Sequence, residues 1–246
     1  MNRHPVTLLA LAVAACLAPA IASAQVSLTA ASPTAVQSFD KTDGKLFPAT
    51  VNKWTDNGTY AGWYSAINDK PAASYRTTNG GSASISPPVL VLRSSGDEAS
   101  LGIVRGESKG RELWGMIGVC LKNDTGKTIT ALDVAYTGKQ WAQNTGGPDA
   151  LNVQFSASAT SLTQKGNGIW TDVPDLTFVS PRSGADKFGP LDGNAPENGK
   201  KITATLKPAT PIAPGSTFWL RWMDAPNSGA GQTLAIDDFT ITARAE

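Results

Sequence analysis

An all-β fold, an antiparallel two-sheet β-sandwich of jelly-roll type, is what this sequence predicts. Three observations predict it. Short runs rich in Val, Ile, Thr and aromatic residues recur along the chain. Turn chemistry separates them, with 24 Gly and 16 Pro in 246 residues. No long segment carries the 3.6-residue apolar period of a helix bundle.

The elements follow in chain order. Residues 1–24 read as a secretory signal peptide: Arg3 gives a positive start, residues 6–21 are almost wholly apolar, and Ala22-Ser23-Ala24 offers a small-residue cleavage site. The apolar run is short for a membrane span, so no transmembrane segment is expected after cleavage. Val13-Ala14-Ala15-Cys16 gives the alternative, a lipid anchor at Cys16. The expected location is secreted or periplasmic. Residues 25–36 read as a flexible lead-in, and residues 37–246 as one sandwich domain.

Residues 37–41 suit a first edge strand, and residues 54–67 combine aromatics with an Asn57-Gly58 turn. Residues 89–93 and 99–105 suggest a hairpin. Residues 112–122 are apolar on both parities, as in a strand covered on both faces. Leu151, Val153, Phe155 and Ala157 alternate with polar residues, the pattern of a half-buried strand. Residues 176–179, 202–206, 218–222 and 234–242 continue the series. Residues 180–201 form a long polar Gly/Pro-rich loop, a length often tied to function.

Composition narrows the chemistry. The leader holds Arg3 and the chain's single histidine, His4, so the mature chain carries 20 basic and 20 acidic residues. Without imidazole, His-based triads and His-dependent zinc sites are excluded. A balanced charge with no Lys/Arg run argues against nucleic acid as a partner. Cys120 lies in the apolar run 113–121 and reads as a small core residue.

Two constellations carry the candidate sites. The adjacent carboxylates Asp237 and Asp238 sit among core-type residues, and unpaired buried charge is costly. A structural Ca²⁺, which takes six to eight oxygen ligands, is one candidate partner, and hydrogen bonds from Arg221 or from backbone N–H groups are the other. Both strand parities contain apolar residues, so alternation leaves open which acid points inward. The second constellation is aromatic. Sugar rings stack on Trp and Tyr faces while polar neighbours fix orientation. Trp63, Tyr64, Trp141 and Trp170 lie in or beside turn-rich segments, with Asn144 next to Trp141. Trp219 and Trp222 lie inside strands and read as core. A carboxylate-based hydrolase would draw on Asp172, Asp175, Asp192, Glu197 and Asp224, but their spacing selects no facing pair.

The ordered motifs carry a resemblance. They are Trp63-Tyr64, Tyr136-Thr137-Gly138-Lys139-Gln140-Trp141, Trp170-Thr171-Asp172-Val173, Leu191-Asp192-Gly193-Asn194, and the closing residues 218–224 and 234–239. Together they resemble a family of exported bacterial β-sandwich domains. Its members occur alone, with sorting tails of the PEP-CTERM kind, or fused to extracellular nucleases and phosphatases. Here Lys139 stands where that family carries an acid, and no sorting tail follows Glu246. The chain is more distantly similar to MAM domains and jelly-roll carbohydrate-binding modules. That likeness implies a calcium site joining Phe39-Asp40 to Ile236-Asp237-Asp238. The expectation is an exported, non-catalytic domain that binds polysaccharide or a cell-surface glycan. A structural or adhesive matrix protein is the alternative, and the carboxylate hydrolase comes third.

Overall fold

The computed structural model describes residues 25–40, 51–81, 87–93, 98–108, 110–163, 168–224 and 231–246. The expected signal peptide at residues 1–24, the lipid anchor considered at Cys16 and the turn expected at residues 94–97 lie outside them. Among the described residues, helix is confined to two 3-10 turns, Pro174–Leu176 and Pro196–Asn198.

Two sheets make the fold. The first contains β1 (Val26–Thr29), β4 (Trp63–Ile67), β5 (Lys70–Pro71), β11 (Gly115–Asp124), β13 (Ala150–Ser156), β14 (Thr171–Asp172), β15 (Phe178–Val179) and β18 (Thr217–Asp224). The second contains β2 (Thr34–Gln37), β3 (Val51–Lys53), β6 (Ser74–Thr78), β7 (Val89–Leu92), β8 (Ser100–Ile103), β12 (Ile129–Gln143), β16 (Gly189–Pro190), β17 (Gly199–Leu206) and β19 (Thr233–Ala245). A small hairpin, β9 (Gly106–Ser108) with β10 (Arg111–Leu113), stands apart. From β11 onward the long strands alternate between sheets: β11, β13 and β18 in the first, β12, β17 and β19 in the second. That crossing back and forth is the jelly-roll pattern. Pairing is antiparallel except for β1 with β11 and β6 with β7.

The core lies between the sheets and is dominated by aromatics. Trp63 stacks on Trp222 at 5.7 Å, and Phe239 meets both edge-on at 5.4 and 5.6 Å. Tyr136 meets Trp222 edge-on from the other sheet. These offset and T-shaped arrangements suit the ring quadrupoles. β11 is buried along nearly its whole length, as its two-sided apolar pattern predicts. Its Cys120 is a buried free thiol, and burial pushes its pKa up to about 12.

Residues 25–36 are not the flexible lead-in expected of them. β1 pairs in parallel with β11, and β2 pairs with β19. Leu28 supplies the reason: it is fully buried and anchors the segment in the core. The edge strand expected from residue 37 therefore lies earlier, in β2, and residues 38–40 carry no strand. Phe39, with φ of 59°, is buried in the core.

Each sheet also carries apolar residues on its outer side. On the first, Ala66, Met116, Cys120 and Trp219 pack under Ala159 and Leu162, with Tyr64 and Trp170 beside them. On the second, Leu90, Leu92, Trp141 and Ala235 cluster together.

Candidate functional site

Strand alternation separates Trp63 from Tyr64. Trp63 shares its side of β4 with the inter-sheet core, whereas Tyr64 and Ala66 face outward. In antiparallel register Tyr64 stands opposite Gly118 and Ala66 opposite Met116, and β18 continues the surface with Trp219. Tyr64 and Trp219 meet at 4.7 Å in a T-shaped contact.

Half-buried Tyr64 forms one wall of a cleft of about 410 Å³, backed by Trp219, which is 3% exposed, with Leu162 beside them and Asp56, Asp69 and Lys70 as the charged groups. Asp56 is held rigidly: its Oδ1 accepts the Trp54 indole N–H at 2.7 Å and the Ser65 amide at 3.0 Å. Burial raises its pKa, partly offset by those two donors. Asp69 sits on the β4–β5 turn with φ of 61°.

A second layer supports this face. Arg221 is buried, its side chain donating to Gln154 Oε1 at 2.9 Å and to the Leu162 carbonyl at 2.9 Å. Its guanidinium lies 3.7 Å from the Trp170 ring centroid, a cation–π contact. Gln154 in turn donates to Asp172 at 2.7 Å. Burial pulls the Arg221 pKa down to about 10, opposed by the charges of Asp69 and Asp172, so it remains a cation at neutral pH. Arg221 thereby holds Leu162, one of the residues 160–163 that line the cleft.

The sequence-derived aromatic candidates therefore divide. Tyr64 lines the cleft, and Trp170 lies on the same face, half-buried over Arg221. Trp63 and Trp141 do not fit as sugar platforms, because both rings are enclosed. Trp63 is inter-sheet core. Trp141 donates its indole N–H to Ser100 Oγ at 2.8 Å and lies under the 189–198 loop, whose Leu191 N–H donates to the Trp141 carbonyl at 2.8 Å. A Cβ on Gly193 would run into the Trp141 ring, so only glycine lets that loop close. Asn144 is occupied structurally, its N–H donating to Gln232 Oε1 at 2.8 Å and its side chain to the Gly231 carbonyl. Sequence reasoning misses Trp219, Asp56, Asp69 and Lys70 as site residues. Trp219 reads as core from its apolar strand, and the three charged residues sit in turns whose place beside β4 only the fold reveals.

The acids expected to hold calcium also change role. A register shift between β12 and β19 falls beside Asp238, whose φ is 48°. It turns Asp238 to solvent while Ile236 and Phe239 both stay in the core. Asp237 lies under the 189–198 loop and meets an internal cation. Lys139 Nζ donates to Asp237 Oδ2 at 2.6 Å and to Asn194 Oδ1 at 2.7 Å. Asp237 Oδ1 accepts the Asp238 N–H at 2.8 Å. Asp40 Oδ1 accepts the Ala99 N–H at 3.0 Å. A calcium ion does not fit Asp40, Asp237 and Asp238 as a set, because Lys139 already supplies the positive charge that Asp237 needs and Asp238 points away. Among the described residues, no group of three or more His, Cys, Asp or Glu side chains is placed to hold a metal.

No protein-family model and no curated protein matches the chain. Among solved structures the chain is similar to the CBM22-1 xylan-binding domain from Paenibacillus barcinonensis Xyn10C, at 12% identity over 86% of this chain and 94% of that one, TM-score 0.42. It is also similar to the xylan-binding module CBM15, at 10% identity over 81% and 99%, TM-score 0.39. The K3 cleaved adhesin domain of Lys-gingipain from Porphyromonas gingivalis w83 is a third, at 11% identity over 76% and 96%, TM-score 0.40. Likeness at this level carries no weight for function. The fold assignment rests on the chain's own two sheets. Among the described residues no helix is long and apolar enough to cross a membrane.

Proposed function

We propose that this chain is an exported, non-catalytic domain that binds a glycan in the cleft on the outer face of its first sheet. One observation carries the reading: the half-buried Tyr64 ring, backed by the buried Trp219, and the charged groups Asp56, Asp69 and Lys70 share one cleft of about 410 Å³. Sugar rings need both halves of that combination, apolar C–H faces against aromatic rings and hydroxyls against fixed polar groups. The volume also lies within the roughly 300–1,000 Å³ typical of small-ligand sites. Export rests on the leader at residues 1–24, and the absence of imidazole from the rest of the chain supports binding over catalysis.

The test is affinity electrophoresis against soluble hydroxyethylcellulose, xylan, galactan and alginate. At least one polysaccharide should retard the protein. Tyr64→Ala should weaken that retardation about tenfold, since a lost ring contact is worth roughly 1–1.5 kcal/mol. Val36→Ala, an exposed change on β2, serves as the control and should leave it unaltered. Retardation by none of the four, or equal retardation of wild type and Tyr64→Ala, would sink the proposal.

A further inference from the structure

Away from the cleft, one buried arrangement presents acceptors with too little donated to them. Asp149 precedes β13 and Asp224 ends β18, where Leu151 pairs with Asp224. That register sets the two carboxyls against each other. Both are enclosed, at 2% and 3% exposure. Asp149 accepts the Ala150 N–H through Oδ1 at 2.9 Å and the Gln232 N–H through Oδ2 at 3.0 Å. Asp224 has no such support: both its oxygens are sealed from solvent and receive no hydrogen bond. The Arg105 amide faces it outside hydrogen-bonding geometry, and the Arg105 guanidinium, whose charge favours both carboxylates, makes its hydrogen bonds to Glu112 instead, with Nε 2.8 Å from its Oε1.

Two carboxyls that face one another need a cation between them. One shared proton satisfies a single Asp224 oxygen and leaves the other orphaned. A divalent ion engages both, because a carboxylate can bind it in bidentate fashion. A neutral oxygen lies close at hand. A Cβ on Gly231 would stand 2.9 Å from the Arg105 carbonyl oxygen and 3.1 Å from Asp149 Oδ2, so glycine keeps both oxygens uncovered there.

We propose that Asp149 and Asp224 bind a hard divalent cation of the calcium class, with the Arg105 carbonyl as a further oxygen ligand. The site is separate from Asp237, whose charge Lys139 already answers. It ties the start of β13 to the end of β18, two neighbouring strands of the sheet that bears the cleft.

EDTA-treated protein titrated with CaCl₂ tests this, read by thermal unfolding and by elemental analysis of bound metal. One calcium per chain and a Tm rise of about 5 °C or more are expected once the ion exceeds its Kd about 100-fold. Asp224→Asn, nearly isosteric and free of the buried charge, should fold and lose both responses. Mn²⁺ added to the wild-type protein locates the ion without any substitution, and should broaden the amide signals of residues 149–151 and 231–233 first. An unchanged wild-type Tm with no bound metal would overturn the proposal and leave a shared proton as the cation. So would a full calcium response in Asp224→Asn, or Mn²⁺ broadening centred elsewhere.

Discussion

Lys139 shows how one residue redirects the chemistry of its neighbours. It is 8% exposed and faces Asp237, which is 3% exposed. Burying two charges is tolerable only when each has its partner. Lys139→Met should therefore cost about 3–5 kcal/mol of unfolding free energy, because it strands Asp237 under the loop. Lys139→Met combined with Asp237→Leu should recover most of that loss, and urea unfolding of the three proteins measures both steps. Equal stability of Lys139→Met and wild type would show that the pair is not a structural link. In the sequence, Asp237 is visible as a carboxylate in need of a cation. That the cation is Lys139 is not, because the contact depends on the register of β12 against β19. Asp224 stands in the sequence only as one of several acids open to a hydrolase and Asp149 not at all, since their meeting depends on the pairing of β13 with β18.

At the scale of elements, the readable strands are those whose burial comes from local pattern. β13 alternates, β11 is apolar on both parities, and β18 and β19 carry bulky residues, so each announces itself. The four-residue strands β1 and β2 do not, because a segment that short shows little periodicity and depends on Leu28 docking in the core. Trp141 misleads for a related reason. Its flanking Asn144-Thr145-Gly146-Gly147 suggests an exposed turn, whereas the loop that encloses it arrives some fifty residues later, as a tertiary contact. Gly193→Ala tests that closure. The added methyl must displace either the loop or the indole, at an expected cost of about 1–3 kcal/mol. The tryptophan emission should also shift to the red. A Gly193→Ala protein with native stability and emission would show that the loop does not depend on glycine there.

For the whole molecule, the near balance of 21 basic and 20 acidic residues hides several acids that fold at a cost. Asp237 is raised to about 6 by burial, with Lys139 opposing, and Asp56, Asp149 and Asp224 are raised by burial as well. Each binds its proton more tightly folded than unfolded. Their contribution is therefore fully present below about pH 4, where both states are protonated, and is lost as pH rises through the folded values, about pH 4 to 6 for Asp237. Asp124 and Asp133 are shifted the other way by Lys122 and Arg244, so their effect falls below pH 4. In EDTA the protein should be more stable at pH 5 than at pH 8 by urea unfolding, and calcium should narrow the gap. A stability that rises from pH 5 to pH 8 in EDTA would contradict this.

The proposed glycan cleft depends on the fold laying β4, β11 and β18 side by side, so that Tyr64 and Trp219 share one outer face. A ¹⁵N-resolved titration of the protein with a polysaccharide that retards it tests that claim most directly. Saturation should move the amides of Tyr64, Ala66 and Lys70 and, through its contact with Tyr64, the Trp219 indole N–H, while the Trp141 and Trp222 indoles stay in place. Shifts confined to the second sheet around Trp141, or none on the Tyr64–Trp219 face, would contradict the account.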